Sequence, residues 1–107
     1  MTWEVTFYSS SLENELLTLP TGLLAKFVRY LERLEAYGPH LGMPHTRAMG
    51  SGLVELRVKA AEGIVRVFFC TAAGHRIVLL HQFHKKTDRT PRRELETARR
   101  RMREMTP

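Results

Sequence analysis

Arginine, lysine and histidine side chains between positions 57 and 85 are the residues of this sequence best suited to chemistry. Arginine binds phosphate through two parallel hydrogen bonds, so Arg57 and Arg66 could stabilise a negatively charged transition state. Lys85 could supply further positive charge, and His81 and His84 are candidate acids or bases because histidine titrates near neutral pH. RNA carries its own nucleophile, the 2′-hydroxyl, so these residue types are the ones that could cleave a phosphodiester without a metal ion.

Three predicted β-strands would position these side chains. Leu53–Lys59 alternates between apolar and charged residues, which is typical of a strand with one buried face. Ile64–Thr71 and Arg76–Phe83 are rich in β-branched and aromatic residues, as strands usually are. Gly63 and Gly74 provide the positive φ that hairpin turns need, so the stretch predicts two consecutive hairpins.

Strand alternation assigns these side chains to two faces of the predicted sheet, if the turns centre near Glu62 and on Ala73-Gly74. The basic residues then share one face: Arg57, Lys59, Arg66, His81 and Lys85. The same face holds three apolar residues: Phe68, Ile77 and Leu79. The opposite face is uncharged: Val54, Leu56, Val58, Val65, Val67, Phe69, Val78 and Leu80. A one-residue slip would mix the two sets, so the apolar set predicts the register.

The basic face has two interpretations, and both stay open at this point. Like charges across a strand pair are destabilising by up to roughly 1 kcal/mol, so their accumulation favours an anionic ligand. The alternative is a solvated outer face on which Glu55 neutralises one arginine. Adjacent strand residues point to opposite faces, so only one of Lys85 and Lys86 enters the site. Parity favours Lys85, whereas a bulge would favour Lys86.

Helices are predicted before the strands. A short helix stops before Pro20, and a second begins near Thr21 and ends at Gly38. Their apolar residues recur at helical spacing, so the two helices should pack as a hairpin on the apolar face and leave their basic residues solvated. Residues 38–52 are rich in glycine and proline and predict a loop. Its three basic side chains could line an RNA groove: His40, His45 and Arg47.

The C-terminal segment is the most basic part of the chain. Thr90-Pro91 predicts a helix start, with a capping hydroxyl followed by proline at the first helical position. An apolar stripe along this helix can dock on the domain: Leu95, Ala98, Met102 and Met105. Basic residues here and beside the strands are candidates for RNA binding: Lys59, Lys86, Arg89, Arg92 and Arg93.

Length and composition limit the class of protein. The 107 residues predict a single domain spanning 1–107. Lysine and arginine outnumber the acids by 17 to 11, which gives a net charge of +6 and indicates a polyanionic partner. Cys70 lies in an apolar strand and should be a buried thiol. Neither a metal-ligand spacing, a signal peptide nor a membrane span is evident, so we expect a cytoplasmic protein without metal or cofactor.

Three segments carry a resemblance to a known family: LVELRV, GIVRVFF and RIVLLHQFHKKTDRTPRRELETARRRM. They closely resemble the phage-derived, RelE-like branch of type II toxin–antitoxin toxins, whose better-known relatives are RelE and HigB. By this resemblance, Arg57, Arg66 and Lys85 fall where the family places its catalytic or RNA-binding cations. The resemblance implies a RelE-like α+β fold, with an N-terminal helical hairpin packed on a twisted antiparallel sheet and a basic C-terminal helix.

The resemblance also implies a function and partners. The expected protein is the toxin of a type II system, a metal-independent endoribonuclease that cleaves mRNA on the ribosome and inhibits translation. Its partners would be a cognate helix-turn-helix antitoxin, in a toxin–antitoxin hetero-oligomer, together with mRNA and the ribosome, and no membrane. The alternative is a ParE-like toxin, which inhibits DNA gyrase by binding and is not a nuclease.

Overall fold

A five-stranded sheet forms the centre of the protein in a computed structural model that describes residues 2–86 and 89–105. The elements are β1 (Glu4–Phe7), α1 (Ser10–Leu17), α2 (Thr21–Tyr37), β2 (Thr46–Gly50), β3 (Leu53–Ala60), β4 (Gly63–Ala72), β5 (Arg76–His84) and α3 (Arg92–Met105). The strand order is β1-β5-β4-β3-β2. The predicted α+β fold is confirmed. One detail differs, because β1 pairs in parallel with β5 and the sheet is therefore mixed.

The ends of α1 and α2 are satisfied by nearby polar groups. The Ser9 hydroxyl accepts a hydrogen bond from the Leu12 N–H at 3.1 Å and caps α1. Pro20 precedes α2 and has no side-chain acceptor, but the Glu62 carboxylate accepts from the Gly22 N–H at 2.8 Å. Glu62 lies in the β3–β4 turn, so this bond joins α2 to the hairpin. The helix ends at Gly38, whose φ of 91° few other residues adopt easily.

The helical hairpin buries its apolar side on one face of the sheet, as expected. The fully buried helical side chains are Leu12, Leu16, Leu23, Phe27 and Leu34. The strand side chains beneath them, also fully buried, are Leu56, Val58, Val65, Val67, Phe69, Ile77 and Leu79. Burying each such side chain contributes about 1.5–3 kcal/mol, so this core dominates the stability of the fold.

The β3–β4 hairpin has the predicted register, but the β4–β5 hairpin does not. Ala72 pairs with Arg76, so the turn contains three residues, and the last of them, His75, has a φ of 56°. The extra turn residue reverses the parity of the start of β5. The assignment of Ile77 and Leu79 to the basic face was wrong, since both lie in the core under α1 and α2. Val78 and Leu80 occupy the other face, also contrary to prediction.

A β-bulge then restores the predicted parity for the rest of β5. Phe68 pairs with His81 whereas Phe69 pairs with Leu79, so Leu80 is the extra residue. Beyond the bulge, Phe83 lies opposite Arg66. The turn and the bulge each shift the register by one residue, so together they leave the face assignment unchanged. His81 therefore lies on the face that carries Arg57 and Arg66, as predicted.

Helix α3 covers part of this second face through a smaller core. The sheet contributes Leu53, Phe68, Cys70, Val78, Leu80 and Phe83. The predicted stripe of α3 is confirmed, because Ala98 is fully buried and Leu95, Met102 and Met105 pack around it. Burial raises the pKa of the Cys70 thiol, in keeping with the inert cysteine that was expected.

Two arginines attach α3 to the sheet by backbone hydrogen bonds. Arg99 Nη2 donates to the Met49 carbonyl at 2.7 Å, at the end of β2. Arg101 Nη1 donates to the carbonyl of the bulge residue Leu80 at 2.8 Å. The Arg101 guanidinium also lies 4.7 Å from the centre of the Tyr8 ring. Tyr8 donates a hydrogen bond to Glu104, and this bond raises the pKa of the Tyr8 hydroxyl.

The glycine- and proline-rich segment contains a strand that sequence analysis missed. The loop predicted over 38–52 is wrong for Thr46–Gly50, which form β2 and pair antiparallel with β3. The strand has no apolar alternation, and its pairing with β3 is irregular between Ala48 and Gly50. Its place at the sheet edge therefore depends on hydrogen bonding to β3 rather than on side-chain pattern.

The docking of α3 can be tested at its buried alanine. We expect Ala98→Gln to lower the free energy of unfolding by about 2–4 kcal/mol, because it forces a polar side chain into a filled site. Arg100→Gln inserts the same residue at an exposed position of the helix and should change stability by less than about 0.5 kcal/mol. Urea unfolding followed by circular dichroism measures both. Equal stability of the two variants would contradict the packing described for α3.

Candidate functional site

A cleft of about 250 Å³ opens on the second face of the sheet, beside the region that α3 covers. Among the described residues it is lined by Met43, Pro44, Arg47, Glu55, Arg57, Arg66 and Lys85. Of these described lining residues, the charged ones are the basic side chains and one carboxylate. The predicted cations Arg57, Arg66 and Lys85 meet in this cleft.

Strand pairing explains why these residues converge. Arg47 of β2 lies opposite Glu55 of β3, and Arg57 of β3 lies opposite Arg66 of β4. Directly opposite residues of an antiparallel pair share a face, so three neighbouring strands each present arginine to the same side. Lys85 follows β5, and its N–H donates to the Ile64 carbonyl at 2.8 Å, which continues the pairing past the end of the strand.

A buried ion pair forms the floor of the cleft. The Glu55 side chain is 1% exposed and pairs with Arg66 Nη1, and the Arg66 side chain is 11% exposed. The second carboxylate oxygen of Glu55 accepts from the Thr90 hydroxyl at 3.2 Å. Glu55 therefore orients Arg66 and neutralises much of its charge. Arg66 Nε is buried and has no hydrogen-bond partner within residues 2–86 and 89–105.

Arg57 differs from Arg66 although the two are directly paired. Arg57 is partly exposed, lines the cleft and forms no ion pair with any residue that the structure describes. Its backbone is held, because its N–H donates to the His45 carbonyl at 2.9 Å. The cleft thus presents one arginine with its charge available to a ligand and one that is fixed in place by a carboxylate.

The two predicted histidines lie away from the cleft lining. His81 is on the expected face, but its Nε2 lies 2.6 Å from a carboxylate oxygen of Glu94 in α3. His84 pairs with Val65, whose side chain belongs to the core under α1 and α2. His84 therefore lies on the α1/α2 face of the sheet, which is the face opposite the cleft, and its side chain is exposed at the end of β5. The structure therefore groups neither histidine with the arginines.

The residues predicted to bind RNA are dispersed around the cleft. Lys59 shares the face of Arg57 but does not line the cleft, and Lys86 is exposed after β5. Arg92 pairs with Glu96 at 3.1 Å on the exposed surface of α3. Arg89 and Arg93 are also exposed, at and before the start of that helix. Thr87 and Asp88 lie outside the described residues.

Sequence analysis missed part of the site. Thr90 was expected to cap α3, and its hydroxyl binds Glu55 across 35 positions of sequence. Met43 and Pro44, from the predicted loop, form the apolar wall of the cleft. Glu55 had a detectable signal, because an acid between two arginine-bearing strands is a natural partner for one of them. Thr90 and Met43 had none, since only the folded chain brings them to the cleft.

The arrangement suits the binding of a phosphate group. Guanidinium groups on neighbouring strands can donate several hydrogen bonds to one phosphate, and Lys85 adds a further charge. Within the described residues no group of histidine, cysteine and acidic side chains could hold a metal ion. Nor is any described helix long and apolar enough to cross a membrane.

The Glu55–Arg66 pair makes a prediction about stability. Arg66→Gln should lower the free energy of unfolding by about 3–5 kcal/mol, because it leaves a buried carboxylate without its counter-ion. The double variant Glu55→Gln/Arg66→Gln should be more stable than Arg66→Gln, with a coupling of about 1–3 kcal/mol in a double-mutant cycle. Urea unfolding of the four proteins measures it. Additivity within about 0.5 kcal/mol would show that the pair is not coupled.

Comparison with known proteins identifies the family of this chain. The family model described as Phage derived protein Gp49-like (DUF891) matches residues 14–103, which include the whole cleft. No curated protein matches the sequence. Because the match covers most of the sequence, the chain belongs to the Gp49-like phage-derived family, which is part of the RelE/HigB-type toxin group.

Proposed function

We propose that this toxin-family protein is an endoribonuclease that cleaves mRNA on the ribosome without a metal ion. The observation that carries the proposal is the cleft, in which Arg47, Arg57 and Lys85 surround the fixed Glu55–Arg66 pair. A site that gathers cations around a single carboxylate is suited to a phosphodiester, whose charge increases in the transition state.

Arg57 and Arg66 have separate roles in this mechanism. Arg57 carries the charge that is available to bind a non-bridging phosphate oxygen. Arg66 is held rigidly by Glu55, so its guanidinium does not reorganise when the pentacovalent phosphorane forms. The 2′-hydroxyl gives its proton to solvent water as its oxygen attacks the adjacent phosphorus. The new O–P bond forms, the bond to the 5′-oxygen breaks, and the 5′-oxygen takes up a proton. The products are a 2′,3′-cyclic phosphate and a 5′-hydroxyl.

The cleft has few side chains that can transfer a proton. Besides arginine, the lining offers Glu55 and Lys85 as groups that accept or donate protons. We assign Lys85 as the proton donor to the departing 5′-oxygen, because its ammonium group lines the cleft and carries protons that it can give up. No described histidine lines the cleft, so the rate must rely on an RNA held with its 2′-hydroxyl in line. The ribosome would supply that alignment.

A toxin of this group implies an antitoxin partner. We propose that the partner is a helix-turn-helix antitoxin that closes the cleft when it binds. Any partner that binds only the folded toxin also stabilises it by mass action.

The role of Arg57 is tested by substitution. Arg57→Gln should reduce mRNA cleavage on translating ribosomes by about 10²–10³-fold, because it removes a contact to the charged transition state. Its free energy of unfolding should change by less than about 0.5 kcal/mol, since Arg57 forms no ion pair within the described part of the chain.

The control for that experiment is Arg76→Gln, which removes the same charge from an exposed side chain at the first residue of β5, away from the cleft. It should cleave at the wild-type rate. A folded Arg57→Gln protein that retains full activity would remove Arg57 from the site. Primer extension on the cleaved message gives both rates.

The identity of the nucleophile is tested with modified RNA. Replacing the ribose just 5′ of the cleaved bond by 2′-deoxyribose should block cleavage there, because the attacking oxygen is missing. Toxin pretreated with EDTA should cleave normally when only the magnesium that the ribosome needs is present. Cleavage of the deoxy-substituted message at the same position would disprove the mechanism. Inhibition of gyrase supercoiling, with intact mRNA, would assign the protein to the ParE-like alternative.

A further inference from the structure

A second, smaller basic pocket lies on α2, outside the cleft. Its volume is about 130 Å³, and it is lined by Lys26, Arg29, Tyr30, Arg33 and His45. Sequence analysis treated the basic residues of this helix as solvated. The structure shows that three of them share a concave surface with a histidine from the segment before β2.

The cations of this pocket have no acidic partner in the part of the chain that the structure describes. Lys26, Arg29 and Arg33 follow one another at spacings of three and four, so they are neighbours on one side of the helix. Like charges at that spacing destabilise a helix, and acids elsewhere on α2 could relieve them. Within residues 2–86 and 89–105, however, none of the three forms an ion pair. An anionic ligand would supply the missing counter-charge.

The base of the pocket is held in place. The Tyr30 hydroxyl lies 2.9 Å from His45 Nδ1, and the centres of the two rings are 5.4 Å apart. Tyr30 is only 9% exposed, so its contact with His45 is fixed by the core beneath α2. The base of the pocket is therefore a fixed feature of the fold, and the three cations around it are exposed.

Consecutive residues of one segment line the cleft and the pocket. Met43 and Pro44 line the cleft, whereas the next residue, His45, lines the α2 pocket. The His45 carbonyl accepts a hydrogen bond from the Arg57 N–H at 2.9 Å, which connects this segment to an arginine of the cleft. Helix α2 packs on the other face of the sheet from the cleft, so the pocket is connected to the cleft through residues 43–45 at the β2 edge.

We infer that the α2 pocket binds a second phosphate of the RNA strand whose scissile phosphodiester lies in the cleft. This inference rests on the proposed function. Arg29 and Arg33 supply the charge, and His45 and Tyr30 form the polar base of the subsite. Because this phosphate lies away from the bond that is cleaved, the subsite should increase affinity for RNA rather than the rate of the chemical step.

The test compares two charge-matched double variants. Arg29→Gln/Arg33→Gln removes two cations of the pocket, and Arg76→Gln/Arg100→Gln removes two exposed cations elsewhere. The probe is a short, fluorescein-labelled, single-stranded 2′-O-methyl RNA, which cannot be cleaved through a 2′-hydroxyl. Its affinity is measured by fluorescence anisotropy over a range of salt concentrations, and circular dichroism verifies folding.

The pocket variant should bind the probe about tenfold more weakly at low salt than the control variant. The slope of log affinity against log salt should fall by about 0.7 if the contact to this one single-strand phosphate is lost. On translating ribosomes the variant should raise KM and leave kcat unchanged. If the pocket variant binds the probe with the same affinity and salt slope as the control variant, the inference is overturned. This holds even if the pocket variant loses affinity for an acidic surface of the antitoxin, because the pocket would then bind a protein and not RNA.

Failure of the proposed function would look different. If the wild-type protein does not cleave mRNA but the pocket variant still loses affinity for the probe, the phosphate pocket stands and the nuclease assignment falls. If the wild-type protein cleaves mRNA and the pocket variant binds the probe as the control does, the nuclease assignment stands and the pocket falls.

Discussion

The buried ion pair between Glu55 and Arg66 is the constraint on which the site depends. A carboxylate that is 1% exposed is tolerated only with a counter-ion and further hydrogen bonds, and here Arg66 and Thr90 supply them. The pair needs the β3–β4 register, which brings the two residues together, and the segment just before α3, which carries Thr90. The pair also makes two adjacent arginines different, because Glu55 fixes Arg66 and leaves the charge of Arg57 available to a ligand.

The limits of the sequence prediction are clearest along β5. Alternation and β-branched composition predicted β3, β4 and β5. Alternation also assigned the side chains of β3 and β4 to the correct faces, since a one-residue slip would have buried charge. It could not show that the second turn has three residues, because His75 adopts a positive φ that no residue pattern announces. Nor could it show the bulge at Leu80, since residues on both sides of the strand there are apolar. The position of His81 was predicted correctly only because the two errors cancelled.

The site itself was predictable only in part, for a related reason. Arg57, Arg66 and Lys85 could be grouped because they lie on consecutive hairpins, where parity alone determines the face. Arg47 required β2, a short edge strand whose pairing with β3 leaves no alternating pattern in TRAMG. Thr90 reaches Glu55 only where α3 docks on the second face, and the core there includes Val78 and Leu80, which had been assigned to the opposite face.

The distribution of charge shows why basic composition does not locate a binding surface. Helix α3 is the most basic element of the chain, yet Arg99 and Arg101 donate to backbone carbonyls and hold the helix on the sheet. Helix α2 carries fewer cations, but Arg29 and Arg33 have no acidic partner among the described residues and line a pocket next to the cleft. What distinguishes a structural arginine from a ligand-binding one is the acceptor that its guanidinium already has. By that criterion Arg99 and Arg101 are structural, whereas the charges of Arg29 and Arg33 are available to the ligand proposed for the α2 pocket.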